Sequence, residues 1–193
     1  MHPPVRGTEV IEDVKLFFTL LSAATAAVSP AYFLLPVADG DGGEPLVVCR
    51  ERVYAYELYH QLRSIWPVYW PYSLAGEIDK RGHPVVQGEY LDNSKPDLLV
   101  HVPGQMDRNL VVLEIKPLLL DINPAEPAAF QRDMRKLMAF RATGYEAAIF
   151  LAFGEPVQRV REYSNALQEA GEAFDVVLFH HARPGEPAIR ADW

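Results

Sequence analysis

The chain has 193 residues and is 49% hydrophobic, which suits one compact domain with a substantial core. Its 18 basic and 26 acidic residues give a net charge of −8, which counts against a protein that coats nucleic acid through a global positive field. A local basic patch remains compatible with that charge. The single cysteine excludes an internal disulfide and favours a reducing, cytoplasmic compartment.

The first predicted element is a helix that begins near Thr8, where apolar residues recur at helical spacing. The uncharged segment 16–38 must be weighed as a membrane span, but its apolar run is too short to cross a bilayer and prolines follow it. A signal peptide is disfavoured because the preceding residues lack a positive excess. We therefore expect a buried helix, whose alanine-rich second half permits close packing on another helix, including that of a second copy in a homodimer.

Residues 50–66 predict a second helix, which a following proline ends. At about 100° per residue, Glu51 falls within the apolar stripe of this helix. A carboxylate on a core-facing side is costly unless it is paired, so Glu51 is a candidate site residue. The alternative is an acid in the first turn that interacts with the helix dipole. Tyr54, Tyr56 and Tyr59 are interpreted as packing and surface aromatics rather than as a platform for bases.

Three strands are predicted to follow. The first, residues 73–80, carries Glu77, which either faces the candidate site or is solvated. A polar loop separates it from two apolar runs, residues 95–102 and 109–116, that are joined by a turn-like segment and can pair as a hairpin.

Side chains alternate along a strand, so Asp97 and His101 share one face, as do Glu114 and Lys116. Pairing of the two strands would bring Asp97, Glu114 and Lys116 to one point. Two carboxylates suit Mg²⁺ or Mn²⁺, with the backbone carbonyl of Ile115 as a further ligand, and Lys116 would then assist an attacking water. The alternative is a salt bridge on a solvated strand. A strand histidine is ordinarily structural, and an accessory role for His101 stays open.

A helix is predicted over residues 128–142, with Arg132, Arg135 and Lys136 on its outer side. Solvated charges are the default interpretation of these three residues. They are also the densest basic cluster in the chain that could contact a phosphate backbone. Beyond this helix, the sequence predicts a buried strand over 146–153, a helix over 157–172, a strand over 174–180 and a loose tail.

Pro96-Asp97 followed by Glu114-Ile115-Lys116, with the two acids separated by 17 positions (114 − 97), resembles the PD-(D/E)xK nuclease superfamily. The similarity runs over residues 47–154 and looks like an uncharacterised bacterial branch. The resemblance implies a restriction-endonuclease-like fold and metal-dependent hydrolysis of phosphodiesters. It also implies that Glu51 lies close to the metal.

The same resemblance bears on the helix over residues 128–142. The superfamily often places a Gln-x-x-x-Tyr pattern there, which this chain lacks because Arg135 stands where the tyrosine would be. Asp133, Lys136 and Leu137 instead match an Asp-x-x-Lys-Leu pattern of the branch that the chain resembles.

The order of predicted elements indicates an α/β fold with a mixed central sheet flanked by helices and an extra N-terminal helix. The predicted organisation is a helical appendage and linker over 1–45, a nuclease-like core over 46–183 and a loose tail over 184–193. The first functional hypothesis is a Mg²⁺- or Mn²⁺-dependent nuclease, with DNA favoured over RNA as substrate. The second is a catalytically silent module of the same fold that acts in binding or regulation as a homodimer. In a third, the motif match is accidental.

Overall fold

The computed structural model describes residues 7–33, 35–37, 46–48, 50–76, 95–105, 107–118, 126–154 and 174–191, together with positions 158, 161, 162 and 165. The predictions for Glu77, for the polar loop after it and for most of the helix over 157–172 lie outside these residues. The helices are α1 (Gly7–Ala26), α2 (Pro30–Phe33), α3 (Glu51–Ser64) and α4 (Glu126–Ala142). The strands are β1 (Leu35–Val37), β2 (Leu46–Val48), β3 (Ser73–Gly76), β4 (Leu98–His101), β5 (Asn109–Pro117), β6 (Tyr145–Phe153), β7 (Val177–His181) and β8 (Ile189–Ala191).

Strands β3 to β8 form one mixed sheet in sequence order, and β1 and β2 form a separate antiparallel pair. The first three strands of the sheet are antiparallel to one another, β5, β6 and β7 run parallel, and β8 is antiparallel to β7. The predicted α/β class and mixed central sheet are therefore confirmed. The long apolar run of β6 is buried on both faces, as is usual for a central parallel strand.

Helices cover both faces of the sheet. On one face, α1 and α3 contribute Phe17, Leu21 and Leu58 to a core that also contains Ile115. On the other face, α4 packs through its apolar side chains against Val112 and the neighbouring strands. Because Ile115 faces the first core, the flanking residues of β5 face α4, and this alternation positions the charged residues of β5.

The α1 helix is buried, as the sequence predicts, since Phe17, Leu21 and Ala24 are buried within the chain. These residues lie in the same core cluster as Leu58 and Ile115, although the sequence assigns residues 1–45 to an appendage. Its Thr25 hydroxyl accepts a 2.8 Å hydrogen bond from the backbone N–H of Ala188, which ties the helix to the C-terminal segment. Among the residues that the structure describes, no helix is long and apolar enough to cross a membrane.

The C-terminal segment differs from the prediction. The sequence indicates a loose tail over 184–193, but Ile189–Ala191 forms β8, the edge strand of the sheet. Its residues pair with Leu178 to His180 of β7. The short strand carries an arginine and an alanine and has no long apolar run, so its stability comes from pairing rather than from its own pattern.

Candidate functional site

The site begins where β4 stops pairing with β5. The last paired residues are Leu98 and Leu113, so no strand among the described residues pairs with the edge of β5 beyond them on that side. Asp97, the residue before β4, lies at this edge: its Oδ2 accepts a 2.7 Å hydrogen bond from the N–H of Ile115. The N–H and C=O of one strand residue point to the same edge, so the Ile115 carbonyl also faces the Asp97 side.

Glu114 and Lys116, on either side of Ile115, project toward α4. Lys136 of that helix donates a 2.6 Å hydrogen bond from Nζ to Glu114 Oε1. Lys116 Nζ lies 3.0 Å from Glu51 Oε2 and 3.1 Å from Asp133 Oδ2, so it bridges the start of α3 and the middle of α4. The start of β4, strand β5 and the helices α3 and α4 thus converge on one charged group of side chains.

We refer to these six side chains as the acid–lysine cluster. Its members are Glu51, Asp97, Glu114, Lys116, Asp133 and Lys136. Four carboxylates and two ammonium groups give a formal charge of −4 + 2 = −2. Charges of this kind on a sheet that is otherwise packed with apolar residues are costly without a compensating partner.

The nearby lysines do not fully compensate the negative charges of Glu114 and Asp97. Burial, followed by the charge of Asp97, raises the pKa of Glu114 to about 8, and the Lys136 ammonium only partly opposes this. Burial likewise raises the pKa of Asp97 to about 6, although the Ile115 N–H favours its ionised form. Both carboxylates would therefore gain from an additional cation.

Lys116 is in the opposite situation. Burial disfavours its charged form, but the carboxylates of Asp133 and Glu51 outweigh burial and raise the pKa of Lys116 above its usual value. The side chain therefore remains an ammonium at neutral pH. It can orient a water or stabilise negative charge, whereas it cannot act as a general base.

One buried oxygen of the cluster has neither a hydrogen bond nor an ion pair among the described residues. It is Oε2 of Glu114, whose other oxygen, Oε1, is bonded to Lys136. Oδ2 of Asp133 also lacks a hydrogen bond, but it lies in the ion pair with Lys116. A buried acceptor without a partner ordinarily costs about 1–3 kcal/mol, more when it is charged. Oε2 of Glu114 is a natural place for a cation to bind.

The residues of the cluster match the ligands that magnesium uses. Mg²⁺ binds proteins through one or two carboxylates and keeps several waters, and Asp97, Glu114 and the Ile115 carbonyl supply such a set. In the described residues no group of three or more acid, histidine or cysteine side chains is arranged to hold a metal ion. The fit is therefore to a site with few protein ligands rather than to a closed cage.

Not every predicted site residue lies in the cluster. His101 is at the opposite end of β4 from Asp97, roughly 13 Å along the strand, so the structure does not bring it to the site. Arg132 is exposed and Arg135 is half-buried on α4. Lys136, which the sequence predicts on the outer side of the helix, instead points inward, and its side chain is 13% exposed.

Asp133 is a member of the cluster that is not among the candidate site residues of the sequence, although it matches the Asp-x-x-Lys-Leu pattern of the resembling branch. It is 6% exposed and faces Lys116. The sequence signal for it is its spacing from Lys136: residues three apart on a helix lie on one face, so an inward-pointing lysine carries Asp133 with it.

Two adjacent histidines, His180 and His181, form no metal pair. The ring of His181 is hydrogen-bonded through Nδ1 to the Tyr54 hydroxyl at 2.8 Å, whereas His180 Nε2 donates to the Gly154 carbonyl at 2.8 Å. Burial lowers the pKa of His181 to about 4, so its ring is neutral at physiological pH. These residues join α3 and the end of β6 to β7.

The acid–lysine cluster is therefore the best candidate for a functional site in the described part of the chain. Its chemistry is that of a buried glutamate and a half-buried aspartate beside a lysine that is charged at neutral pH, at one edge of β5. No model of a known protein family matches this sequence, and no curated protein is significantly similar to it.

Proposed function

We propose that the protein is a metal-dependent phosphodiesterase that hydrolyses nucleic acid, with DNA favoured over RNA, and that its sheet is of the restriction-endonuclease-like type. The observation that carries the proposal is the convergence of Asp97, Glu114 and Lys116 at this edge of β5. The Pro-Asp and Glu-Ile-Lys segments that resemble the PD-(D/E)xK superfamily are the ones that meet there.

Asp97, Glu114 and the Ile115 carbonyl would hold Mg²⁺ or Mn²⁺. Such an ion, when bound, polarises a phosphate oxygen and lowers the pKa of a coordinated water. Lys116 would orient the attacking water and stabilise the negative charge that develops on the phosphate. Glu51 and Asp133 act on Lys116 rather than on the substrate: their ion pairs of 3.0 and 3.1 Å fix its ammonium and keep it charged.

A catalytically silent module of the same fold is the second candidate. The ion pair between Lys136 and Glu114 favours it, because an ammonium at 2.6 Å already supplies part of the charge that a metal would bring. In that case the cluster is a structural network, and the protein acts in binding or regulation, as a homodimer.

Cleavage assays separate these candidates. Single- and double-stranded DNA and RNA are incubated with the protein in Mg²⁺, in Mn²⁺ and in EDTA. We expect metal-dependent cleavage that falls by about 10²–10³ in Lys116→Met, a loss typical of removing one electrostatic stabiliser. Lys15→Met is the matched control, since Lys15 forms an exposed ion pair on α1.

Cleavage that is equal in Lys116→Met and in the wild type would point to a contaminant and overturn the proposal. Metal binding without cleavage of any of the four substrates would favour the silent module.

A further inference from the structure

A cavity opens directly beside the acid–lysine cluster. Its volume is about 340 Å³, near the lower end of the range for ligand pockets. The described residues that line it are Ala55, Tyr56, Tyr59, Gly76, Asp97 and Leu98. Two tyrosines of α3 and a candidate metal ligand, Asp97, thus line the same space.

The helix side of this cavity is both aromatic and basic. At about 100° per residue, Arg52, Tyr56, Tyr59 and Arg63 of α3 fall within about 60° of one another, and we refer to them as the α3 stripe. Both arginines are exposed, and the Tyr56 side chain is 61% exposed. The stripe begins one residue from Glu51 and leads away from the cluster along the helix.

Gly76 keeps the space between the tyrosines and Asp97 open. A Cβ at this position would lie 3.5 Å from the Asp97 carbonyl oxygen and 3.9 Å from Cδ2 of Tyr59. These are ordinary van der Waals distances, so a larger side chain would be accommodated by filling the cavity rather than by a backbone clash.

We propose that the cavity receives one unpaired base and that the α3 stripe binds single-stranded nucleic acid. Tyr56 and Tyr59 stack on the base, and Arg52 and Arg63 contact the phosphate backbone. A base inside a duplex has both faces covered by its neighbours, so it cannot present a face to the two tyrosines, whereas every base of a single strand can. The sequence pattern alone indicates packing and surface roles for Tyr56 and Tyr59. Their position in the lining of the cavity adds a role in binding a base.

The charges agree with this occupant. The cluster stays net negative even with Glu114 protonated and repels phosphate in the absence of a cation, whereas the neighbouring stripe carries two arginines. A single-stranded nucleic acid bound along the α3 stripe would bring one of its phosphodiester bonds close to Asp97 and Lys116. As far as cleavage is concerned, this inference rests on the proposed function.

The test measures binding separately from cleavage. Fluorescence anisotropy of a labelled oligothymidylate and of a labelled hairpin duplex is recorded with the full chain in Ca²⁺, a hard cation that accepts the same oxygen ligands. We expect the single strand to bind more tightly than the duplex. Tyr56→Ala should weaken its binding by about tenfold, as expected for the loss of one base–aromatic stack.

Gly76→Val, which fills the cavity, should weaken binding similarly. Tyr69→Ala is the matched control, because Tyr69 is 98% exposed outside the cavity. Circular dichroism verifies that each variant folds.

Duplex binding as tight as single-strand binding would overturn the inference. So would equal effects of Tyr56→Ala and Tyr69→Ala. Should the expected binding pattern be seen while neither wild type nor Lys116→Met shows metal-dependent cleavage, the single-strand site stands and only the proposed hydrolysis is lost.

Discussion

Lys136 donates a 2.6 Å hydrogen bond to Oε1 of Glu114, while Oε2 of the same carboxylate is buried without a hydrogen-bond partner in the described residues. Only one of the two carboxylate oxygens of Glu114 therefore has a hydrogen-bond partner there. Burial and the charge of Asp97 raise its pKa to about 8, which shows that one lysine does not offset the cost of ionising it. A group in this condition binds a proton or a metal ion readily, and both kinds of binding change the stability of the fold.

Mg²⁺ or Mn²⁺ should stabilise the protein. A ligand that binds only the folded state contributes about 2.7 kcal/mol at roughly a hundred times its Kd, which is measurable as a rise in Tm. Asp97→Asn and Glu114→Gln should each abolish most of that rise, because each removes a charged oxygen ligand. Asp107→Asn is the matched control, since Asp107 is exposed in the turn between β4 and β5. A rise in Tm that survives both substitutions would place the metal elsewhere.

Lys136→Met should increase the affinity for Mg²⁺. The substitution takes a positive charge away from Glu114 and changes the formal charge of the cluster from −2 to −3, so a divalent cation is attracted more strongly. We expect Kd, measured by calorimetry, to fall several-fold. Lys15→Met removes an exposed lysine ion pair outside the cluster and should leave Kd unchanged. Weaker binding in Lys136→Met would instead mean that Lys136 holds Glu114 in its metal-binding position.

The free energy of unfolding of the metal-free protein should decrease as pH rises from about 4.5 to about 8. The folded-state pKa of Glu114 is raised from 4.5 to about 8, so between these values the folded state retains a proton that the unfolded state has lost. Fewer protons bound in the unfolded state mean that the free energy of unfolding decreases as pH rises through this window. The expected decrease is on the order of a few kcal/mol.

In the upper part of this pH range, the change in stability with pH reports on Glu114. Above about pH 7, Asp97, with a pKa of about 6, and His181, whose pKa is lowered from 6.5 to about 4, have both largely completed their differential titration. Urea denaturation at about pH 7 and about pH 9 should therefore show the decrease in wild type and not in Glu114→Gln, whose amide is neutral in both states. Glu146→Gln, an exposed acid on β6, should behave as wild type. A stability that is flat over this range in the wild type would contradict the prediction.

Most of the architecture can be predicted from the sequence because it follows local periodicity. The strands β4, β5 and β6 and the helices α3 and α4 all carry long apolar patterns, and α/β order follows from their alternation. The edge strand β8 was not predicted, because a three-residue strand held by pairing with β7 has no pattern of its own. The same holds for the β1–β2 pair, which is formed by two three-residue strands.

The sequence predicts those parts of the site that depend on the pattern of one strand. It does not predict the parts that depend on a contact between a strand and a helix. Alternation correctly placed Glu114 and Lys116 on one face of β5. The inward direction of Lys136 could not be inferred from α4, since a lysine beside an apolar stripe can equally reach solvent. Only the position of Glu114 beneath the helix decides between the two, and that is a tertiary contact. The inward direction of Asp133 likewise depends on a tertiary contact, its ion pair with Lys116.

Gly154→Ala should destabilise the protein much more than Gly144→Ala. Both glycines have a left-handed backbone, with φ of 100° and 101°, so an alanine costs about 1–2 kcal/mol at either position. At Gly144 a Cβ would meet no atom of the described residues within 4 Å, whereas at Gly154 it would lie 2.9 Å from the Leu118 carbonyl oxygen. Backbone overlap of this kind adds to the conformational cost, and we expect a total of about 3 kcal/mol for Gly154→Ala.

The clash produced by Gly154→Ala should also disturb the candidate site, because it involves the end of β5. Leu118 lies two residues after Lys116, directly beyond the end of β5. Its N–H donates a 2.7 Å hydrogen bond to the Phe153 carbonyl, and this bond fixes that end of the strand. Moving Leu118 aside would displace Lys116 from Glu51 and Asp133. Gly154→Ala should therefore reduce any metal-dependent cleavage as well as Tm, while Gly144→Ala should lower only Tm. Equal Tm values for the two variants would show that the Leu118 carbonyl yields without cost, because the left-handed backbone is common to both.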